Sequence, residues 1–136
     1  MNSFRLEMEK IQTLYAIDVG FWDIKTQIYK KYLLGIDTGA TVTTISEDLL
    51  NLLGYNVEGM PDWAVITGGG VKHVKRFPVK KLRLGNFELE DIEICAHKFP
   101  LETSFSGLLG LNVLTKFDVN FLFSQNIIEF TVRKDT

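Results

Sequence analysis

The chain has 136 residues, enough to enclose one hydrophobic core, and 1–136 reads as a single domain. Apolar residues make up 46% of it, ten of them Phe, which excludes a disordered chain. Its 15 basic and 17 acidic residues are intermixed for a net charge of −2, so neither a nucleic-acid footprint nor a polybasic membrane patch is expected.

The first ten residues carry charges every few positions and hold no apolar core of signal-peptide length. No apolar run anywhere reaches membrane-spanning length. A soluble cytoplasmic protein is the expectation. Phe4-Arg5-Leu6-Glu7-Met8-Glu9 alternates apolar and polar, which predicts a strand with one face buried. Residues 13–19 predict a second strand, and Asp18-Val19-Gly20 then reads as a turn, since Asp before Gly is common turn chemistry. Residues 26–36 predict a third strand. It runs into Asp37-Thr38-Gly39-Ala40-Thr41, and another apolar run, residues 42–45, follows at once. A carboxylate between two buried strands is costly unless it is paired or put to use. Gly39 allows a tight reversal there, and the Thr38 hydroxyl can hydrogen-bond locally to hold it. Taken alone, this stretch fits an ordinary turn equally well, with Asp37 as the turn former.

Residues 46–54 predict one short helix. Ser46 is a good N-cap, Glu47 and Asp48 favour the positive end of the helix dipole, and Gly54 suits the left-handed residue that ends a helix. Residues 55–60 form a loop or short strand. Residues 63–66 and 71–79 predict two strands joined by Thr67-Gly68-Gly69-Gly70, a flexible tip with little side chain on it. Glycine-rich loops also cradle phosphate, but that use wants a following helix, and a strand follows here. Residues 82–90 predict a hairpin turning at Gly85-Asn86, and residues 92–96 another strand. The lone Cys95 cannot form an internal disulfide and reads as a small core residue. Leu108-Leu109-Gly110 follows a loop of small residues. Residues 112–116 have the length of a short helix with Asn112 as a plausible N-cap. Alternation at Phe117, Val119, Phe121 and Phe123, a turn at 124–126, and alternation at Ile128, Phe130 and Val132 predict a C-terminal hairpin. Strands dominate, with one or two short helices, so the expected class is a mainly β domain, closed or sandwich-like.

Three features fall in one order: Asp37-Thr38-Gly39-Ala40, the glycine-tipped hairpin at Gly68-Gly69-Gly70, and Leu108-Leu109-Gly110 before a short helix. In that order the chain resembles the retropepsin-like aspartic proteases, from about residue 29 to residue 132. The resemblance implies a small closed β-barrel-like fold and an aspartic endopeptidase. It implies that Asp37 is the catalytic aspartate that holds the attacking water. Thr38 matches the residue whose hydroxyl bonds across a dimer, and Gly39 the glycine whose carbonyl faces the substrate backbone. Ala40 matches the small residue beside the catalytic pair. Gly68, Gly69 and Gly70 match the tip of a flap that closes over bound peptide, and Leu108-Leu109-Gly110 the segment packed under the catalytic loop. Apolar pockets lined by residues such as Val65, Ile66 and Leu108 would favour apolar substrate side chains. Retroviral members usually carry an Asp where this chain has Thr41 and an Arg where it has Leu111; here both are uncharged, so no stranded ion remains. With about 36 residues ahead of Asp37, the chain looks more like a cellular or bacterial relative than a viral enzyme.

Peptide hydrolysis needs a base to activate water and an acid to protonate the leaving nitrogen. Two carboxyls sharing one proton supply both, because like charges a few ångströms apart cannot both ionise. The chain holds one Asp-Thr-Gly, so the simplest source of the second carboxyl is a second copy, with Asp37 set against itself across a two-fold axis. A homodimer acting on a polypeptide substrate is therefore expected, with no cofactor. Ala40 brings no hydroxyl to the pair, which predicts a mildly acidic optimum. His73 and His97 are far apart for a metal site, so no metal is expected, and Cys95 with His97 lacks an orienting Asn or Asp for nucleophilic catalysis. The competing reading is a non-catalytic retropepsin-like module that binds peptide or dimerises; a third is a precursor that must dimerise or be trimmed before it works.

Overall fold

Period-two alternation becomes strand through most of the chain. A computed structural model describes residues 2–98 and 105–134. The loop expected ahead of Leu108 therefore lies partly outside the described residues. Among the described residues the order begins β1 (Ser3–Glu7), β2 (Glu9–Ile11), β3 (Leu14–Asp23), β4 (Ile28–Ile36), β5 (Thr43–Ser46) and α1 (Glu47–Leu52). It continues with β6 (Asp62–Thr67), β7 (Gly70–Leu84), β8 (Phe87–His97), β9 (Gly107–Leu109), α2 (Leu111–Leu114), β10 (Phe117–Leu122) and β11 (Ile127–Val132).

Eight strands form one sheet in the order β2-β3-β4-β9-β5-β8-β7-β6. Its long strands curl until β3 meets β7, pairing Gly20 with Arg83 and Phe21 with Leu82. The strands β3, β4, β9, β5, β8 and β7 thus close a ring. Apolar side chains fill it: Ile17, Val19, Leu34, Ile45, Leu82, Ile94 and Leu109 are wholly buried. The helix α1 caps one opening with Leu49 and Leu50. Its ends are as its residues dictate. The Ser46 hydroxyl accepts from the Leu49 N–H, and Gly54 follows the last turn at φ +103°.

Asp18-Val19-Gly20 is not a turn. Asp18 and Gly20 pair with Leu33 and Lys31 in mid-strand. Gly20 lies where β3 crosses β7, and a Cβ there would sit 3.4 Å from Arg83 Cβ. Strand closure, not chain reversal, uses this glycine. The reversal comes later, at Asp23, which is fully buried. Its Oδ1 accepts from the Lys25 and Thr26 N–H groups, and its Oδ2 pairs with Lys30 Nζ at 2.7 Å. The Lys30 ammonium, with these backbone donors, holds the Asp23 carboxyl down at about 2.

The two ends of the chain build a second sheet, in the order β1-β11-β10. Phe4 stacks on Phe130 at 5.1 Å, and Phe117 meets Phe130 edge-on at 5.2 Å. The N-terminal and C-terminal strands are thus paired with each other within one chain, Ser3 opposite Thr131.

Candidate functional site

The site is built where β4 runs out of the ring. Asp37 follows Ile36 and donates its N–H to the Leu109 carbonyl at 3.0 Å. Its own carbonyl accepts from the Ala40 N–H at 3.2 Å, closing a four-residue turn. Its Oδ1 accepts from the Gly39 N–H at 2.9 Å, which points the carboxylate along the turn. A Cβ on Gly39 would lie 3.1 Å from that oxygen, close enough to push on the carboxylate. Asp37 is half-buried, while Thr38 and Gly39 are exposed at the tip of the turn.

Beneath this turn runs the segment from β9 into α2. β9 lies parallel to β4 and antiparallel to β5, wedged between them. The wedge needs glycine. A Cβ on Gly107 would lie 2.3 Å from the Thr44 carbonyl oxygen, and one on Gly110 would lie 2.8 Å from that of Ala40. The Leu111 and Asn112 N–H groups then donate to the Ala40 and Thr41 carbonyls, at 2.8 and 3.1 Å. The start of α2 is thereby bolted to the turn that follows Asp37, and backbone bonds, with no ion pair between Thr41 and Leu111, make the join.

Asn112 does something its sequence position hid. The helix-capping residue is Gly110, so Asn112 is not the N-cap. Its Oδ1 accepts from both the N–H and the hydroxyl of Thr43, each at 2.8 Å, and its Nδ2 donates to the Glu93 carbonyl at 2.7 Å. Thr43 is fully buried, and its Oγ1 in turn accepts from the Gly110 N–H at 3.0 Å. One amide side chain therefore ties β5, β8 and α2 together directly under the turn. A Gly-x-Asn spacing after an apolar strand was the only signal available, and it pointed equally to a cap.

Beside Ala40, against the outer face of β8, lies a hollow of about 370 Å³ lined in part by the β6–β7 hairpin. Strand parity decides which side chains enter it. Val65 faces Lys72 across the hairpin and both line the hollow, as do Val74 and Arg76 two and four residues on. Ile66 and Val71 pair on the opposite face, where they are strongly exposed. Ile66, expected with Val65 in a pocket, is placed on the outer side of the hairpin. Leu108 is also outside the lining; its Cδ2 covers Gly35 on the neighbouring strand. The hairpin turns at Gly68-Gly69, with Gly70 at φ +111°. A Cβ on Gly68 or Gly70 would meet no heavy atom within 4 Å. The base of the hairpin is pinned. Asp62 pairs with Lys75 at 3.0 Å, Arg76 Nε with Glu93 at 2.9 Å, and the Arg76 guanidinium lies 4.7 Å from the Trp63 ring centroid.

Cys95 is not a core residue. Ile92, Ile94 and Ala96 point inward, whereas Cys95 and His97, on the other face of β8, line the hollow. Partial burial raises the Cys95 thiol above its ordinary value. Among the described residues no cluster of three or more His, Cys, Asp or Glu could hold a metal ion. No helix there is long and apolar enough to cross a membrane.

Residues 29–116, more than half of the chain, match the model of the family described as "gag-polyprotein putative aspartyl protease". The structure is similar to that of a retropepsin-like aspartic protease from Rickettsia conorii. The TM-score is 0.70 at 14% sequence identity, covering 96% of this chain and 90% of that one. No curated protein matches the chain.

Proposed function

Because the chain belongs to the retropepsin-like aspartic protease family, we propose that it is a homodimeric endopeptidase with one active site, made by Asp37 and its symmetry mate. The observation that supports this reading best is the fixed carboxylate of Asp37, held by the Gly39 N–H on a turn whose tip faces solvent. A single chain offers one such group, and the chemistry needs two.

Brought face to face, the two carboxyls share one proton, since two negative charges at that distance repel. The ionised member takes a proton from a water held between them, and that water attacks the scissile carbonyl. The protonated member hydrogen-bonds to the carbonyl oxygen as charge develops, and a proton then passes to the leaving nitrogen. Gly39 N–H keeps each carboxylate in register, and the Thr38 hydroxyl, exposed beside it, bonds across the dimer. The Gly39 carbonyl and Ala40 meet the substrate backbone. The substrate lies extended between the catalytic floor and the hairpin, adding a strand of its own. Gly68, Gly69 and Gly70 form the tip that closes over it, and closure excludes water. In this reading Ile66 and Leu108 act from outside the hollow, Ile66 at the hairpin's outer face and Leu108 at the floor over Gly35.

The test is a peptide-library digest from acidic to neutral pH, run beside Asp37→Asn, with sedimentation to establish the assembly. Cleavage by the dimer that disappears in Asp37→Asn is the expected result. Cleavage that persists unchanged in the variant overturns the reading. Peptide binding without turnover at any pH leaves a non-catalytic module instead.

A further inference from the structure

Three basic side chains, Arg76, His97 and Lys72, line the hollow beside Ala40, and they are not equivalent. Arg76 is neutralised by Glu93 at 2.9 Å and is stacked on Trp63. The Lys98 carbonyl accepts from His97 Nδ1 at 2.8 Å. Lys72, opposite Val65 on the hollow-facing side of the hairpin, makes no ion pair with any described carboxylate. Glu47 and Glu58 border the next hollow, which Lys72 also touches, but neither pairs with it. Val65 and Val74 line the same hollow and give it an aliphatic part. A wall with two methylene-sized apolar contacts and one uncompensated positive charge suits a side chain with an apolar stem and an anionic end.

We propose that this hollow is a substrate side-chain subsite that selects a carboxylate-bearing residue, Glu above all, with Lys72 as its counter-charge. The proposal rests on the protease reading and sharpens it. Val65 and Val74 receive the stem of the glutamate, and Lys72, carried on the hairpin, meets its carboxylate as the hairpin closes. An arginine or lysine at that substrate position meets like charge and is rejected.

The test uses an octapeptide series in which Glu, Gln or Lys occupies, one at a time, each position flanking the cleaved bond. For the wild-type chain, Glu at one position should raise kcat/KM about three- to fivefold over Gln, the scale of a partly exposed ion pair. Lys72→Arg should keep that preference, and Lys72→Glu should invert it towards Lys. Added salt should shrink it, and so should pH low enough to protonate the peptide's Glu, near about 4.3. Equal Glu-to-Gln ratios in wild type and Lys72→Glu at every position overturn the subsite while leaving the protease intact. Binding of the same peptides to Asp37→Asn, read by fluorescence anisotropy, separates the two claims. Lys72-dependent preference for Glu in binding, with no cleavage by wild type, upholds the subsite and overturns the protease.

Discussion

Replacing Asn112 by Leu removes three hydrogen bonds while keeping the branch at Cγ. The Thr43 N–H and hydroxyl lose their acceptor and the Glu93 carbonyl loses its donor. Thr43 keeps one partner, because the Gly110 N–H still donates to its Oγ1. A buried polar group left unpaired costs about 1–3 kcal/mol, and partial relaxation around Thr43 brings three such losses to roughly 2–4 kcal/mol in all. That is a large share of the about 5–15 kcal/mol that holds a domain folded. Urea unfolding at one fixed protein concentration should therefore show a midpoint lowered by about 1–2 M, with the slope unchanged. The decisive measurement is a double-mutant cycle with Thr43→Val. If the amide and Thr43 act as one unit, the two losses overlap, and the cycle returns a coupling of about 1–2 kcal/mol. Losses that add to within about 0.5 kcal/mol would refute the claim that this network holds the floor of the site.

Gly110→Ala should fail to fold or should lose upwards of about 3 kcal/mol, because its methyl meets the Ala40 carbonyl oxygen at 2.8 Å and no flexible side chain can yield; soluble yield and thermal unfolding report it. Asp23→Asn should flatten the acid limb of the stability curve. Folding lowers the Asp23 pKa from 3.8 to about 2, so its stabilisation is complete above about 4 and is lost as pH falls through that window. The variant should trail wild type in urea titrations above about pH 4, and the gap should close towards pH 2. The Cys95 thiol, raised by partial burial, should alkylate slowly with iodoacetamide at neutral pH and faster in alkali; peptide bound in the hollow should slow it further, as mass spectrometry of quenched samples can follow.

What could be read from the residues alone was what a residue enforces on its own neighbourhood. Ser46 and Gly54 bracket α1 because an N-cap hydroxyl and a left-handed glycine act within one turn of chain. Gly85-Asn86 turns β7 into β8 for the same local reason. Leu108-Leu109-Gly110 stood out through the family resemblance, and the physical reason for its glycine is structural: a Cβ on Gly110 would lie 2.8 Å from the Ala40 carbonyl oxygen. The hidden features depend on register between segments far apart in the chain. Thr44, Cys95 and Arg76 stand in one row across β5, β8 and β7, yet nothing near Cys95 says that Ile94 rather than Cys95 faces the core. An apolar run such as Ile92-Glu93-Ile94-Cys95-Ala96 leaves that parity to its neighbours. The same one-residue parity puts Val65 in the hollow and Ile66 outside it. Asp18-Val19-Gly20 imitates a turn because its glycine answers a crossing strand some sixty residues later, at Arg83. Asn112 is the sharpest case: an amide looks the same as a cap or as a bridge until Thr43 and Glu93 arrive from two other strands to be joined by it.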